Sequence, residues 1–274
     1  MKQKILTLGL LCPVLATLFL ACSKDEPAPA PTVVKEWTIP LSPKNESPAR
    51  PGRTETGTVN IQLISDNTIK YSITITGLAA GDALTAAHIH AGDVITNGPV
   101  VLGFDPVFSG GAASGTLQNI PTSFIDSLKD DKNDLYFNVH STQQPGGLIR
   151  GQLNVAIDMA EDIALLGANE VPPVTTTGAG LAILRLTHDK KLYSKVSVTN
   201  LESTDAIVSA HIHPGAPGVN GPVIVELCSS ATDFGIAKTT VLTDALFTTV
   251  TTGQVYVNAH SVNHPGGLMR GQIR

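Results

Sequence analysis

Short runs of β-branched residues and threonine recur along the chain, bounded by glycine, asparagine or aspartate. Such runs are typical of β-strands, and no segment of useful length has the 3.6-residue period of a surface helix. Many short strands at this spacing predict an antiparallel β-sandwich or a barrel, with one short helical connection at 123–129. The predicted strands are 58–64, 70–76, 86–90, 99–102, 135–140, 181–186, 192–199 and 255–260.

Composition narrows the class of protein. The chain has 274 residues, of which 42% are hydrophobic, 4% aromatic and 15% charged. So few charges exclude a coiled coil and a charged disordered tail, and the scarcity of aromatic residues predicts a core of valine, isoleucine, leucine and alanine. A chain of this length is long enough for two domains, each with its own core.

A signal peptide is predicted for residues 1–21. Lys2 and Lys4 precede an apolar run at 5–21, which gives the basic start and apolar centre of an export signal. A membrane-spanning helix needs about 20 apolar residues and usually a positive stop after them, and this run lacks both. We therefore expect the chain to be exported and shortened.

Cys22 follows this run and is the predicted site of lipidation. The string LFLAC at 18–22 resembles a bacterial lipobox, and SKDE at 23–26 resembles the signal that directs Bacteroidetes lipoproteins to the cell surface. We therefore expect an outer-membrane lipoprotein, exposed at the cell surface and held in the membrane by acyl chains on Cys22. The alternative is an ordinary secretory signal in which Cys22 has no special role.

The residues after the leader predict a spacer and an acidic surface. Residues 22–34 are rich in proline and alanine, which favours an extended, semi-rigid tether. Residues 1–21 carry two lysines and no acidic residue, so their removal takes the formal net charge from −5 to −7. Such a surface does not favour nucleic acid as a partner. With Cys22 acylated, Cys228 has no disulfide partner.

The second half of the chain repeats the first. Motifs built around His-Ile-His, Asn-Gly-Pro-Val, Asn-x-His-Ser and Pro-Gly-Gly-Leu recur in the same order, and an Asn-Glu-x-Pro string precedes both sets. Each copy is too long for a solenoid repeat, so each is predicted to be a domain, at 35–154 and 160–274. The paired segments are 45–48 and 169–172, 87–90 and 210–213, 97–100 and 220–223, 138–141 and 258–261, and 145–152 and 265–272.

In combination and twice over, these motifs resemble the CHRD (chordin-type) domain, which is common in exported bacterial proteins. The resemblance covers nearly all of the chain after the tether. It implies two tandem immunoglobulin-like Greek-key β-sandwich domains, all-β and related in fold to Cu/Zn superoxide dismutases. It implies little about activity, because function resides in the site rather than in the fold.

Six of the eight histidines fall at equivalent positions in the two copies. Residues two apart on a strand point to the same face, so the two histidines of each His-Ile-His string project together. A third histidine lies on a later strand, in the phase opposite to its apolar residues. If the two strands are neighbours, three imidazoles converge on the outer face and can hold Cu or Zn with one open position. The two sets are His88, His90 and His140, and His211, His213 and His260.

The similarity to superoxide dismutases would make these histidines the copper ligands. It would also make Arg150 and Arg270 the residues that attract an anion. The sequence departs from the dismutase pattern, because no bridging histidine or zinc-ligand group lies between His90 and His140. The alternative is that the histidines and arginines form a hydrogen-bonded network, with Arg150 donating to loop carbonyl groups.

No nucleophile elbow, CxxC, HExxH or P-loop spacing occurs in the sequence, so no catalytic residue is predicted. We expect a non-catalytic binding or adhesion module at the cell envelope, with an envelope protein or a glycan as partner. The first alternative is a metalloprotein with one three-histidine Cu or Zn site per domain and weak dismutase-like activity. The second alternative is a structural spacer of the envelope.

Overall fold

The computed structural model describes residues 29–274, and the regular secondary structure of this part of the chain is mostly β-strand. Its first half contains eight strands and one α-helix, and its second half repeats that order. The elements of the first half are β1 (Val33–Leu41), β2 (Thr56–Ile64), β3 (Ile69–Thr76), β4 (Leu84–Ala91), β5 (Val100–Gly103), β6 (Ala112–Leu117), α1 (Thr122–Lys129), β7 (Leu135–Ser141) and β8 (Ile149–Gln152). Those of the second half are β9 (Ile157–Leu166), β10 (Ala179–Thr187), β11 (Lys191–Thr199), β12 (Ile207–Pro214), β13 (Val225–Cys228), β14 (Lys238–Val241), α2 (Asp244–Thr252), β15 (Val255–Ser261) and β16 (Met269–Gln272).

The first half is a sandwich of two antiparallel four-stranded sheets, in the orders β1-β2-β3-β6 and β5-β4-β7-β8. β3 shows why these strands form, because Ile69, Tyr71, Ile73 and Ile75 are buried in strict alternation with exposed polar residues. Burial of each such side chain contributes about 1.5–3 kcal/mol, so this alternation holds the strand face against the other sheet. Both sheets contribute to one hydrophobic core.

The second half has the same strand pairs, but its two sheets are continuous at one corner. There the order is β13-β12-β15-β16-β9-β10-β11-β14, because Arg270 of β16 pairs with Leu166 at the end of β9. In the first half the same corner is an isolated bridge between Ser42 and Arg150. The prediction of all-β sandwich domains is confirmed, and each sandwich is joined at one corner.

All eight predicted strands occur, and the helical connection predicted at 123–129 is α1. Helix α2 was not predicted, because its threonines and Val250 have low helix propensity. Thr243 caps its first turn by accepting a hydrogen bond from the Leu246 amide, and Val250 is buried. Hydroxyl groups of the helix threonines also donate to carbonyl oxygens one turn earlier. Tertiary packing and side-chain hydrogen bonds therefore override propensity here.

The two halves contact each other through the second half's β9 and β10 and the segment 42–50 of the first half. Arg185 of β10 is completely buried, pairs with Asp162 of β9 at 2.8 Å and donates a hydrogen bond to the carbonyl oxygen of Glu46. The other oxygen of the Asp162 carboxylate accepts a hydrogen bond from the Ala49 amide at 2.9 Å. Each member of this ion pair of the second half thus has a backbone partner in the first half, and these two hydrogen bonds join the halves.

The predicted boundaries shift slightly in the structure. β1 begins at Val33, inside the predicted tether 22–34, and β9 begins at Ile157, before the predicted start at 160. The predicted signal peptide and Cys22 lie outside the described residues. Within residues 29–274, no helix is long and apolar enough to cross a membrane.

Candidate metal centre

The three histidines of each half lie on neighbouring strands, as the sequence required. β4 pairs with β7 so that His88 stands opposite Asn138 and His90 opposite Tyr136. In the second half β12 pairs with β15 in the same register. The apolar phase of these strands enters the core, so the histidines occupy the other face of the sheet.

In the first half the three imidazoles meet at one point. Nδ1 of His88 lies 3.1 Å from Nε2 of His140, and the ring centres of His88 and His90 are 5.7 Å apart. One nitrogen from each of the three rings lies within 4.8 Å of the others. Small rotations of the rings therefore suffice to bring all three to a common ion at about 2.0–2.1 Å.

The second half reproduces this arrangement closely. The ring centres of His211 and His260 are 5.0 Å apart, and those of His211 and His213 are 5.8 Å apart. Nδ1 of His211 and Nε2 of His213 and His260 are buried and have no hydrogen-bond partner among the described residues. Three unpartnered nitrogen atoms that face one another form a set of donors that suits a metal ion.

Backbone carbonyl groups orient the rings. Nδ1 of His90 lies 3.0 Å from the carbonyl oxygen of Gly98, and Nδ1 of His140 lies 2.9 Å from that of Pro145. A carbonyl only accepts, so each Nδ1 carries the hydrogen and each Nε2 keeps its lone pair, which in His140 faces Nδ1 of His88. His213 and His260 make the same contacts in the second half. This orientation of ligands by outer hydrogen bonds is usual at metal sites, and the residues present fit a metal ion.

Burial keeps these imidazoles neutral. Desolvation is the main cause that lowers the pKa of all six, and a neighbouring histidine lowers the pKa of His88 and His211 further. The pKa of His211 falls to about 4. Metal ions bind the neutral form, so at pH 7 the ligands need not lose protons first.

The outer face is less open than the sequence indicated. His90 and His213 are only 8% and 6% exposed, whereas His88 and His140 are partly exposed. His90 stacks on Tyr136 with the ring planes 8° apart, and the Tyr136 hydroxyl accepts a hydrogen bond from the Gly98 amide. A loop at 92–98 thus covers one side of the site.

Arg150 is hydrogen-bonded to the covering loop at 92–98, and Arg270 to the equivalent loop at 215–221 of the second half. They are 0% and 1% exposed, so neither side chain reaches solvent to attract an anion. Arg150 donates to the carbonyl oxygens of Asp93 and Thr96 and to the side chain of Asn97. Arg270 donates to the carbonyl oxygens of Ala216 and Val219. The geometry favours the network interpretation for the arginines, and the anion-attracting role drawn from dismutases does not fit their burial.

A buried carboxyl beside each site was not predicted from the sequence. The side chain of Asn45 donates to the Arg150 carbonyl at 3.0 Å. Glu46 lies 3.4 Å from the side-chain amide of Asn138 and is 1% exposed. Burial raises the pKa of Glu46 to about 7, against the opposing charges of Arg50 and Arg150. Glu170 and Asn258 repeat this pair in the second half, and the repeated Asn-Glu and Asn-x-His strings were its signal.

The remaining candidates stay outside the two sites. Cys228 lies in the core of the second half, where burial raises the pKa of its thiol to about 11, so it is a packing residue. His188 is exposed and pairs with Asp158. Within residues 29–274, no carboxylate or thiolate joins either group of three histidines. Each site therefore offers three imidazoles and leaves a position for water or another ligand, where a metal would supply Lewis acidity or redox chemistry.

Comparison with known proteins places this architecture in a family. The family model of the CHRD domain matches residues 37–153 and again residues 162–273. Chordin of Danio rerio is 26% identical over 237 residues, which cover 79% of this chain and 24% of that protein. The chain thus spans about a quarter of the length of this curated relative. No solved structure matches the chain. With two matches in tandem over most of its length, the chain belongs to the CHRD domain family.

Proposed function

We propose that this protein is a non-catalytic binding protein whose two CHRD domains each hold one copper or zinc ion. The convergence of three neutral, carbonyl-oriented imidazoles in both domains carries the proposal. A purely structural network would pair its buried nitrogen atoms, whereas three of them in the second domain have no partner among the described residues. The burial of Arg150 and Arg270 supports binding rather than turnover of an anionic substrate.

Metal analysis of the purified mature protein tests this proposal. We expect two Cu or Zn ions per chain, one in the His88→Ala or His211→Ala variant, and none in the double variant. His188→Ala is the matched control, because His188 is exposed and lies outside both sites. Two ions in the double variant would overturn the assignment of the sites.

A melting experiment separates metal binding from a structural network. Binding to the folded state alone stabilises it by about 2.7 kcal/mol at a metal concentration 100 times the Kd. We therefore expect added Zn²⁺ or Cu²⁺ to raise the Tm of the metal-free protein, and not that of the double variant. If neither ion changes the Tm of the metal-free protein, the proposal is overturned.

We further propose that the protein is anchored in the outer membrane through lipid on Cys22 and faces the cell surface. The lipobox-like string and the tether support this placement. Labelled fatty acid should enter the protein and not its Cys22→Ala variant, which should leave the membrane fraction. Cys228→Ala is the control, because the Cys228 thiol is buried in the core. A Cys22→Ala variant that stays membrane-bound would contradict the anchor.

An envelope protein or glycan is the partner we propose for an adhesive role. Exposed apolar residues at equivalent positions support it, since Val100 of β5 and Val223 before β13 are 51% and 52% exposed. Capture of an envelope component by the metal-free protein, lost in the Val100→Lys plus Val223→Lys variant, would support adhesion. Absence of any captured component would favour the structural spacer. Capture only by the metal-loaded protein would place the partner at the metal.

A further inference from the structure

The first domain has a recess beside the segment 42–50, and the contact between the two domains places an arginine side chain of the second domain in it. The guanidinium of Arg185 enters beside the segment 42–50 and donates to the carbonyl oxygen of Glu46. Arg185 is completely buried there, and its charge acts on the Glu46 carboxyl together with that of Arg150. The first domain therefore accommodates an arginine side chain next to its own buried arginine.

The second domain has the same recess, and none of the described residues enters it as Arg185 enters that of the first domain. A pocket of about 430 Å³ lies at this place. Within the described residues, no donor reaches the carbonyl oxygen of Glu170, whereas Arg185 donates to that of Glu46. Four lining residues are identical to those of the first domain, namely Asn169, Glu170, Arg270 and Gln272 against Asn45, Glu46, Arg150 and Gln152.

We propose that this pocket of the second domain binds an arginine side chain of another polypeptide. The duplicated residues present the Glu170 carbonyl, which matches the acceptor of Arg185 in the first domain, and the Glu170 carboxyl, which matches the one on which the charge of Arg185 acts. A guanidinium suits them because it carries several fixed donors and a charge that a buried carboxyl favours. A lysine would bring one compact, strongly hydrated charge and make a poorer match.

A second copy of this chain does not supply that arginine. In the first domain, Gln62 of β2 occupies the position that Arg185 has in β10, and Thr38 of β1 occupies that of Asp162. In the second domain Pro173 replaces Ala49, whose amide donates to Asp162, and proline has no N–H. If the first domain of a second copy met this second domain, the contact would therefore lack both groups of the ion pair and one backbone donor.

Titration of the mature full chain with acetyl-Gly-Arg-Gly-amide tests the proposal. We expect saturable shifts of backbone amide NMR signals confined to the pocket residues. The citrulline peptide, which has the same shape without the charge, should bind at least about tenfold more weakly. Ala168→Trp fills the mouth of the pocket at an exposed position and should weaken the arginine peptide at least about tenfold as well. Lys44→Trp, at the equivalent position of the first domain, is the matched control and should leave binding unchanged.

Three results would overturn the proposal. These are no saturable binding of the arginine peptide, equal binding of the citrulline peptide, and unchanged binding by a folded Ala168→Trp variant. Sedimentation equilibrium tests whether a second copy of this chain occupies the pocket. A monomer is expected, and a concentration-dependent dimer that the Ala168→Trp substitution abolishes would assign the pocket to a second copy instead. None of these readouts depends on metal, so the outcome is independent of the proposed metal sites.

Discussion

The guanidinium carbon of Arg150 lies 3.4 Å from the centre of the Tyr136 ring. The Tyr136 ring also stacks on His90, with the ring centres 4.8 Å apart. Arg270 and Tyr256 repeat the 3.4 Å contact in the second domain. The arginine, the tyrosine, the histidine and the covering loop therefore form one packed block in each domain. An arginine that does not face the candidate metal position thus fixes a histidine that does.

Replacing Arg150 by lysine should destabilise the protein by about 2–4 kcal/mol. The three donors of a lysine leave one nitrogen atom, so lysine cannot reach Asp93, Thr96 and Asn97 together as the two guanidinium nitrogens do. It also cannot stack flat on Tyr136, so buried acceptors lose their partners. Chemical denaturation of the metal-free protein measures the change. Tyr136→Phe is the comparison, because it keeps the ring and loses only the hydroxyl that accepts from the Gly98 amide. That variant should lose about 1 kcal/mol, and an equal loss in both would contradict the role of the guanidinium.

Glu46 should make stability fall as pH rises. Burial raises its folded-state pKa to about 7 from 4.5, so the folded protein holds a proton that the unfolded chain releases between these values. Its stabilising contribution is complete below pH 4.5 and is lost through pH 7. At 1.36 kcal/mol per pKa unit, the loss is about 3 kcal/mol.

The Glu46→Gln variant isolates this effect, because titration of the buried histidines cancels in the difference from wild type. Relative to wild type, the variant should gain about 3 kcal/mol of unfolding free energy between pH 4.5 and 7.5. Denaturation curves at several pH values provide the measurement. A difference that stays constant with pH would show that Glu46 does not titrate in this range.

Arg185→Gln should weaken the contact between the domains. Glutamine stands at the equivalent position of the first domain, so the substitution suits the strand. It removes the charge that faces Asp162, and breaking a buried ion pair costs about 3–5 kcal/mol. Lys44→Gln is the control, because it removes only the half-exposed pair with Glu161, worth at most about 1 kcal/mol. Similar losses in the two variants, measured by denaturation, would contradict the importance of the buried pair.

Gly267 and Gly266 are adjacent and should respond very differently to substitution by alanine. A Cβ atom at Gly267 would lie 2.6 Å from the Asn258 side chain and 2.7 Å from the Glu170 carboxyl, and its φ of +141° is unfavourable for alanine. A Cβ atom at Gly266 would meet no atom within 4 Å. We expect Gly267→Ala to lose about 2–4 kcal/mol and Gly266→Ala less than about 1 kcal/mol in denaturation experiments. Equal losses would mean that the Glu170–Asn258 pair can move aside.

Much of the architecture is readable from local pattern and repetition. The alternation in strands such as β3 predicts which side chains enter the core, because side chains on a strand point to opposite faces in turn. The same period places His88 and His90 on one face. Duplication then marks the third histidine and the two arginines, since unrelated surface residues are not expected to recur in order. Helix α2 was missed because its cap and hydroxyl bonds outweigh the propensities of its residues.

The amino-acid sequence alone thus determined the β-sandwich class, the tandem organisation and the six histidines, because these depend on period and repetition. Only the tertiary structure decided that the covering loop encloses His90, that Arg150 is buried and hydrogen-bonded to this loop, and that Glu46 lies beside Asn138. Repetition between the copies did not mark Arg185, since its counterpart in the first copy is Gln62. Burial and pairing of such groups follow from which loops and domains come together in space, and no local pattern encodes that.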